Sequence, residues 1–416
     1  MEPYYHDQAS GITIYCGDGR EVLPTMPENS IDTVITDPPY ELGFMGKRWD
    51  SSGVAFNPET WSAVLRVCKP GAILLAFGGT RTFHRLTCAI EDGGWEIRDC
   101  MMWLYGSGFP KSLDISKAID KAAGAEREIV GRRTDRAATP KHDMRGGNLL
   151  NQRNKEPIDL SAITAPATDA AKLWGGWGSA LKPAYEPIVV AMKPLDGTFA
   201  ANAQKWGCAG LNIDGARIGT ALMTSGGSIP DIRGNSSNGR GIGGPENEGR
   251  NRLVTPSEIK QGRWAANVLL DGAAAELLDE QSGYMKSGAS INRNKVEGTH
   301  NGNTIYGKNN VVTYDVPAFE EGGGASRFFY TAKASRSDRG ASNNHPTVKP
   351  TDLMKYLCKI TATPTGGTIL DPFAGSGSTI VAAREYGRKC VGIEMEEAHC
   401  RIIADRLRQQ MLFGVA

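Results

Sequence analysis

Residues 368–379 read Thr368-Ile369-Leu370-Asp371-Pro372-Phe373-Ala374-Gly375-Ser376-Gly377-Ser378-Thr379. A short apolar run delivers the chain to a Gly-x-Gly turn, and a helical stretch follows at once over 380–386. Two glycines let the backbone pass close to a ligand, and a helix that begins there offers unpaired N–H groups. The next apolar run, 390–393, ends at Glu394. An acid in that place suits the two hydroxyls of a ribose. The third glycine of a dinucleotide fingerprint is absent, which counts against a nicotinamide cofactor and favours a nucleoside site.

Working outward, a last helix is expected to about residue 409, and residues 351–361 read as a helix capped by Thr351. The first two hundred residues show the same alternation. Strands are expected at 12–15, 31–36, 72–77, 95–104 and 186–192, with helices at 61–68 and 82–92. Residues 72–77 (AILLAF) are apolar without a break, as in a strand covered on both faces. Lys69-Pro70-Gly71 reads as a combined stop after the preceding helix. Strands alternating with helices argue for a parallel α/β sheet.

The strand at 31–36 stops at Asp37-Pro38-Pro39-Tyr40. Two prolines end strand pairing, and the tyrosine can simply pack. The same four residues also make a chemical device. A proline has no N–H to donate, so a carbonyl there is free to accept an outside hydrogen bond. Asp37 supplies a second acceptor and Tyr40 a flat face. Two acceptors beside an aromatic would hold an exocyclic –NH2 on a planar base.

The rest of the 416 residues bounds the function. Apolar residues make up 40% and charged residues 22%, which excludes a disordered chain, a coiled coil and a collagen-like repeat. A net charge of +1 excludes a small basic DNA-coating protein but leaves room for a local basic groove. The eight cysteines include no C-x-x-C pair, so no metal is expected, and they read as free thiols in a reducing compartment. The N-terminus lacks the pattern of a signal peptide and no run is long enough to span a membrane, so a cytoplasmic protein is expected. Glycine is in excess, at 51 residues, of which 22 fall between Gly207 and Gly324 and eight between 226 and 249. That excess marks a variable, loop-rich region outside the sheet.

Together the two constellations resemble the S-adenosylmethionine-dependent amino-methyltransferases of DNA. TDPPY is similar to their catalytic motif, DPFAGSGST to their cofactor motif, and His345-Pro346-Thr347-Val348-Lys349-Pro350 to the HPTxKP segment before it. Catalytic motif first and cofactor motif last is the circularly permuted order of the β-class enzymes. Gly17-Asp18, the segment 108–112 and Leu181-Lys182-Pro183-Ala184-Tyr185-Glu186-Pro187 are similar to phage- and prophage-type DNA adenine methylases. The resemblance implies a Rossmann-like seven-stranded methyltransferase sheet, permuted, with an inserted irregular target-recognition region. The expected division is 1–195 for one catalytic half, interrupted at about 106–182, then 196–335 for target recognition and 336–416 for the cofactor half. The strands at 95–104 and 186–192 lack a simple helical crossover and are expected to be the antiparallel ones.

Carried over position by position, the resemblance places Asp37, Pro38, Pro39 and Tyr40 at the target base. Asp371, Phe373, Gly375 and Gly377 approach the cofactor, which Asp37 also borders. Glu394 holds its ribose, Asp18 lies near its adenine, and His345, Thr347 and Lys349 line its methionine end. Aspartate at the head of the tetrad leans toward N6 of adenine, with N4 of cytosine as the runner-up. Methylation of RNA or of a protein amide, and a DNA-binding protein without catalysis, are the other readings. Double-stranded DNA is the implied partner, and a homodimer the implied assembly. With a neutral total, DNA contact must be local. Arg127, Arg132, Arg133, Arg136, Lys141 and Arg145 fall in a run of net charge +5 over 127–155, and Arg336 and Arg339 lie in a second basic run.

Overall fold

The computed structural model describes residues 1–43, 51–106, 108, 112–132, 162–224, 259–285, 322–333 and 348–412. Its strands are β1 (Tyr5–Asp7), β2 (Ile12–Cys16), β3 (Ile31–Thr36), β4 (Cys68–Phe77), β5 (Glu96–Leu104), β6 (Ile129–Arg132) and β7 (Ala162–Thr164). They continue with β8 (Tyr185–Met192), β9 (Ile218–Thr224), β10 (Ile259–Arg263), β11 (Val268–Asp271), β12 (Tyr330–Ala332), β13 (Thr368–Asp371) and β14 (Lys389–Glu394). The helices are α1 (Gly19–Val22), α2 (Pro58–Val67), α3 (Phe83–Asp92), α4 (Ile115–Ala123) and α5 (Asp169–Leu173). After them come α6 (Phe199–Trp206), α7 (Gly272–Ser282), α8 (Thr351–Ile360), α9 (Ser378–Glu385) and α10 (Glu397–Leu412).

One mixed sheet organises these elements, in the order β1-β2-β14-β13-β3-β4-β8-β5-β11-β12. The expected seven strands form its centre, from β2 to β5. β1 extends one edge, and β11 and β12 extend the other, so two strands of the 196–335 region belong to the main sheet. Only one of the two strands expected to be antiparallel is reversed within this centre. β8 runs against both β4 and β5, and its reversal leaves β5 parallel to β4.

Burial on both faces explains the unbroken apolar runs. In β4, Ile73, Leu75 and Phe77 join a core with α8, α9 and α10, through Leu353, Ile380 and Ile403. Ala72, Leu74 and Ala76 point the other way, against Trp61 and Val64 of α2 and Ile90 of α3. The stop at Lys69-Pro70-Gly71 ends the helix but not the ladder, since β4 starts at Cys68. Gly71 turns at φ +77° and the β3–β4 register shifts there, which lets a proline enter the strand at its edge.

Buried polar contacts tie the N-terminal and C-terminal strands into one sheet. β13 sits between β14 and β3. Asp32 of β3 accepts from the Thr368 N–H at 2.7 Å and from Lys69 Nζ at 2.6 Å. The buried Arg388 guanidinium donates to the Cys358 carbonyl, Thr361 Oγ1 and Thr33 Oγ1. From this centre the chain winds in two directions, β13 to β14 on one side and β3 to β4 on the other. Such a switch point opens a crevice beyond the carboxyl ends of the strands.

Candidate functional site

The crevice is a cavity of about 380 Å³ at that end of the sheet, within the usual range for small-molecule sites. Four of its acids come from the ends of four adjacent strands. Asp18 follows β2, Glu394 ends β14, Asp371 ends β13 and Asp37 follows β3, and all four line the cavity. The parallel directions of these strands bring together residues more than 300 positions apart.

Asp18 caps α1, accepting from the Arg20 N–H at 2.9 Å, and the Arg20 guanidinium holds its carboxyl below the usual range. Glu394 is anchored by two backbone donors, the Gly375 N–H at 2.8 Å on Oε2 and the Glu396 N–H at 2.8 Å on Oε1. Both donors fix the plane of the carboxylate, and Oε2 keeps a lone pair for a ligand hydroxyl. His399 Nδ1 lies 3.4 Å from Glu394 Oε1, and that contact raises the imidazole's affinity for a proton. Gly375 turns at φ +53° beside the cavity, as a close backbone approach to a ligand requires.

Asp371 is buried, and burial pushes its carboxyl up to about 6 against hydrogen bonds from Thr379, Thr36 and the Phe373 N–H. The Thr36 Oγ1 bond is 2.7 Å long and joins the two motifs directly. Phe373 lines the cavity and leans on Trp61 at a centroid distance of 6.3 Å.

The tetrad closes the other end. Asp37, Pro38, Pro39 and Tyr40 all line the cavity. The Tyr40 carbonyl accepts from Thr82 Oγ1 at 2.8 Å, and its ring rests on Gly79, where a Cβ would come within 3.1 Å of Cδ2. Lys349 Nζ lies 2.6 Å from Asp37 Oδ2, 3.2 Å from the Tyr40 hydroxyl and 3.2 Å from Glu186 Oε2. The Tyr40 hydroxyl donates to Glu186 Oε2 at 3.0 Å. Burial opposes the Lys349 ammonium, but the Asp37 and Glu186 carboxylates outweigh it and keep the proton on. Burial, then the same two acids, raises the Tyr40 phenol well above its usual range. Asp37 Oδ1 is buried and has no hydrogen-bond partner among the described residues.

Two expectations change. Gly377 does not line the cavity: at φ +83° it caps α9 against α10, where a Cβ would come within 2.9 Å of Ile403. Arg127 belongs to the fold of the inserted segment. It donates to Asp120 Oδ2 at 2.7 Å, to Ser116 Oγ and to Thr164 Oγ1, and its side chain is only 14% exposed, which removes it from the phosphate contacts. Arg132 ends β6. His345, Thr347, Arg133, Arg136, Lys141, Arg145, Arg336 and Arg339 lie outside the described residues, as do most of 108–112 and the glycine stretch 226–249. Glu186 and His399 were not among the expected residues. Glu186 did stand in the segment 181–187, without a role.

Residues 31–205 and 250–405, more than half of the chain, match the DNA methylase family of N6 and N4 amino-methylases. The chain belongs to that family. Among individual proteins, this methylase-family chain is 33% identical over 86 residues to Type II methyltransferase M2.LlaDCHI of Lactococcus lactis subsp. cremoris, covering 21% of this chain and 32% of that protein. It is 40% identical over 79 residues to Type II methyltransferase M.ScaI of Streptomyces caespitosus, covering 19% and 25%. The chain thus spans about a third of the length of the curated relatives it matches. Over 97% of this chain and 88% of the other, it aligns at 13% identity and a TM-score of 0.42 with PvuII DNA methyltransferase (cytosine-N4-specific). No helix among the described residues of this family member is long and apolar enough to cross a membrane.

Proposed function

We propose that the chain transfers a methyl group from S-adenosylmethionine to the exocyclic N6 amine of an adenine flipped out of duplex DNA. The observation that carries this reading is Asp37 Oδ1, a buried acceptor at the wall of the cavity with no partner among the described residues. A buried carboxylate oxygen left bare is costly, and an amine hydrogen would satisfy it.

The residues present fit the cofactor. Glu394, already oriented by two N–H groups, would take the ribose hydroxyls, and Asp18 and Gly375 would border the nucleoside. Phe373 and Asp371 would lie along it, and Lys349, His345 and Thr347 would line its methionine end. When bound, the cofactor supplies an electrophilic methyl sulfonium, so no metal or covalent intermediate is needed.

The chain's own work is on the amine, whose lone pair is delocalised into the base. Asp37 Oδ1 accepts one amine hydrogen and the Pro38 carbonyl the other, which favours a tetrahedral nitrogen and localises the lone pair. Holding that nitrogen in line with the methyl group supplies much of the remaining rate. The amine takes the methyl group, gives its surplus proton to water and leaves the sulfur behind as a neutral thioether. A base inside a duplex cannot reach the cavity, so it must leave the stack, with the Tyr40 ring replacing the lost stacking. Residues 196–335 are proposed to read the target, and Arg132, Arg133, Arg136, Lys141, Arg145, Arg336 and Arg339 to contact phosphates.

Labelled S-adenosylmethionine, the chain and mixed-sequence DNA, followed by digestion to nucleosides, test the proposal. Label in N6-methyladenine is expected. Label in N4-methylcytosine would replace adenine by the runner-up, and no label would overturn the enzyme.

A further inference from the structure

Glu186 is the hub of the charged cluster beside the tetrad, and neither motif contains it. It stands at the start of β8, the reversed strand, so its side chain reaches the same end of the sheet as Asp37. The Lys349 ammonium has three hydrogens and three neighbours: Asp37 Oδ2 at 2.6 Å, the Tyr40 hydroxyl at 3.2 Å and Glu186 Oε2 at 3.2 Å. The Tyr40 hydroxyl accepts from Lys349 and donates a hydrogen bond to Glu186. Every hydrogen bond within the cluster is therefore directed, and Asp37 Oδ1 is the acceptor left over.

We propose that Glu186 is a positioning residue for methyl transfer, holding Lys349 on one oxygen of Asp37 so that the other faces the target amine. The inference rests on the methyl-transfer reading above. Its chemistry is electrostatic. Two carboxylates share one ammonium, so the trio keeps a net charge of −1 and Asp37 stays a strong acceptor. Without the Glu186 charge, Lys349 and Asp37 form a neutral pair, the ammonium is free to bridge both Asp37 oxygens, and the amine hydrogen meets a weaker, partly blocked acceptor. Tyr40 would also lose the anchor that fixes its ring.

The test uses the full chain with Glu186→Gln, which keeps the size and an oxygen for the Tyr40 hydroxyl but removes the charge. Single-turnover methyl transfer to DNA is expected to slow about tenfold or more, less than when a preorganised group facing the reacting atoms is removed, since Glu186 acts through Lys349. Cofactor affinity, DNA affinity and the thermal midpoint are expected to stay close to those of the parent chain. Glu186→Asp, which restores the charge, is expected to recover part of the rate. A Glu186→Gln chain as fast as the parent, or one whose loss follows its affinities or its melting, would overturn the inference. Should that variant fail to fold, Glu186→Ala replaces it, and an unchanged single-turnover rate there overturns the inference. An active parent with an indifferent variant removes only the role of Glu186. A parent that transfers no methyl to DNA removes the functional reading as well.

Discussion

Lys349 Nζ lies 2.6 Å from Asp37 Oδ2, across 312 positions of chain. The pair joins the segment just before α8 to the tetrad just after β3, and it assigns different tasks to the two oxygens of one carboxylate. Oδ2 faces an ammonium and Oδ1 is bare.

Asp37→Asn is expected to reduce methyl transfer by about a hundredfold or more, the usual effect of removing one preorganised electrostatic group. If the amide oxygen stays on Lys349, its –NH2 meets the target amine hydrogen donor to donor. Cofactor binding, held by Glu394 and Gly375, is expected to persist. Equilibrium binding of S-adenosylmethionine beside single-turnover transfer checks this, and parallel loss of both would make Asp37 a cofactor ligand first.

Asp371 gives a pH signature. Its carboxyl is raised to about 6 in the fold by burial, from 3.8. Between these values the folded chain binds more protons than the unfolded one, so stability falls as pH rises through that window and is level above it. Two units amount to roughly 3 kcal/mol. Asp371→Asn, which keeps an oxygen for Thr36 Oγ1, is expected to flatten this slope. Urea unfolding of both chains from pH 4 to 7 measures the difference, and parallel curves would contradict it.

Gly377→Ala is expected to destabilise by about 2 kcal/mol or more, through a left-handed backbone and a crowded contact. The new methyl would meet Ile403 at 2.9 Å. The loss should appear in the unfolding midpoint, with cofactor affinity nearly unchanged at temperatures where the chain is folded. Weaker cofactor binding without a stability loss would return Gly377 to the cavity.

Neutralising Arg132, Arg133 and Arg136 together is expected to weaken DNA binding at all sequences. It should also lower the slope of log affinity against log salt by about 0.9 per lost phosphate contact. Arg127→Met, in contrast, is expected to lower stability, because Asp120 would lose its 2.7 Å partner in a buried site. A salt slope that follows Arg127 and ignores the other three would reverse this assignment.

Much of the site was legible because its local backbone rules are strict. Gly375 after a strand, prolines at 38 and 39, and Glu394 at the end of an apolar run each restrict the chain wherever they stand, so strand ends and their acids could be placed from residues alone. The reach of Lys349 to the tetrad was not legible, since nothing local to 345–350 states that β13 lies beside β3. Glu186 was hidden for a sharper reason. In a parallel sheet functional groups gather at the carboxyl ends of strands, and Glu186 stands near the start of its strand; only the reversal of β8 makes it a neighbour of Asp37. Gly377 and Arg127 failed in the opposite sense, since a glycine at a helix start and an arginine in a basic run have the same local pattern whether they face a ligand or pack in the fold. Ile403 and Asp120 decide between those outcomes. Sequence by itself determined the turns, the apolar faces and the chemical groups available, because these depend on each residue and its immediate neighbours. Tertiary structure decided which groups meet and which oxygen of Asp37 stays open, because pairing between distant strands is set by the packing of the whole sheet.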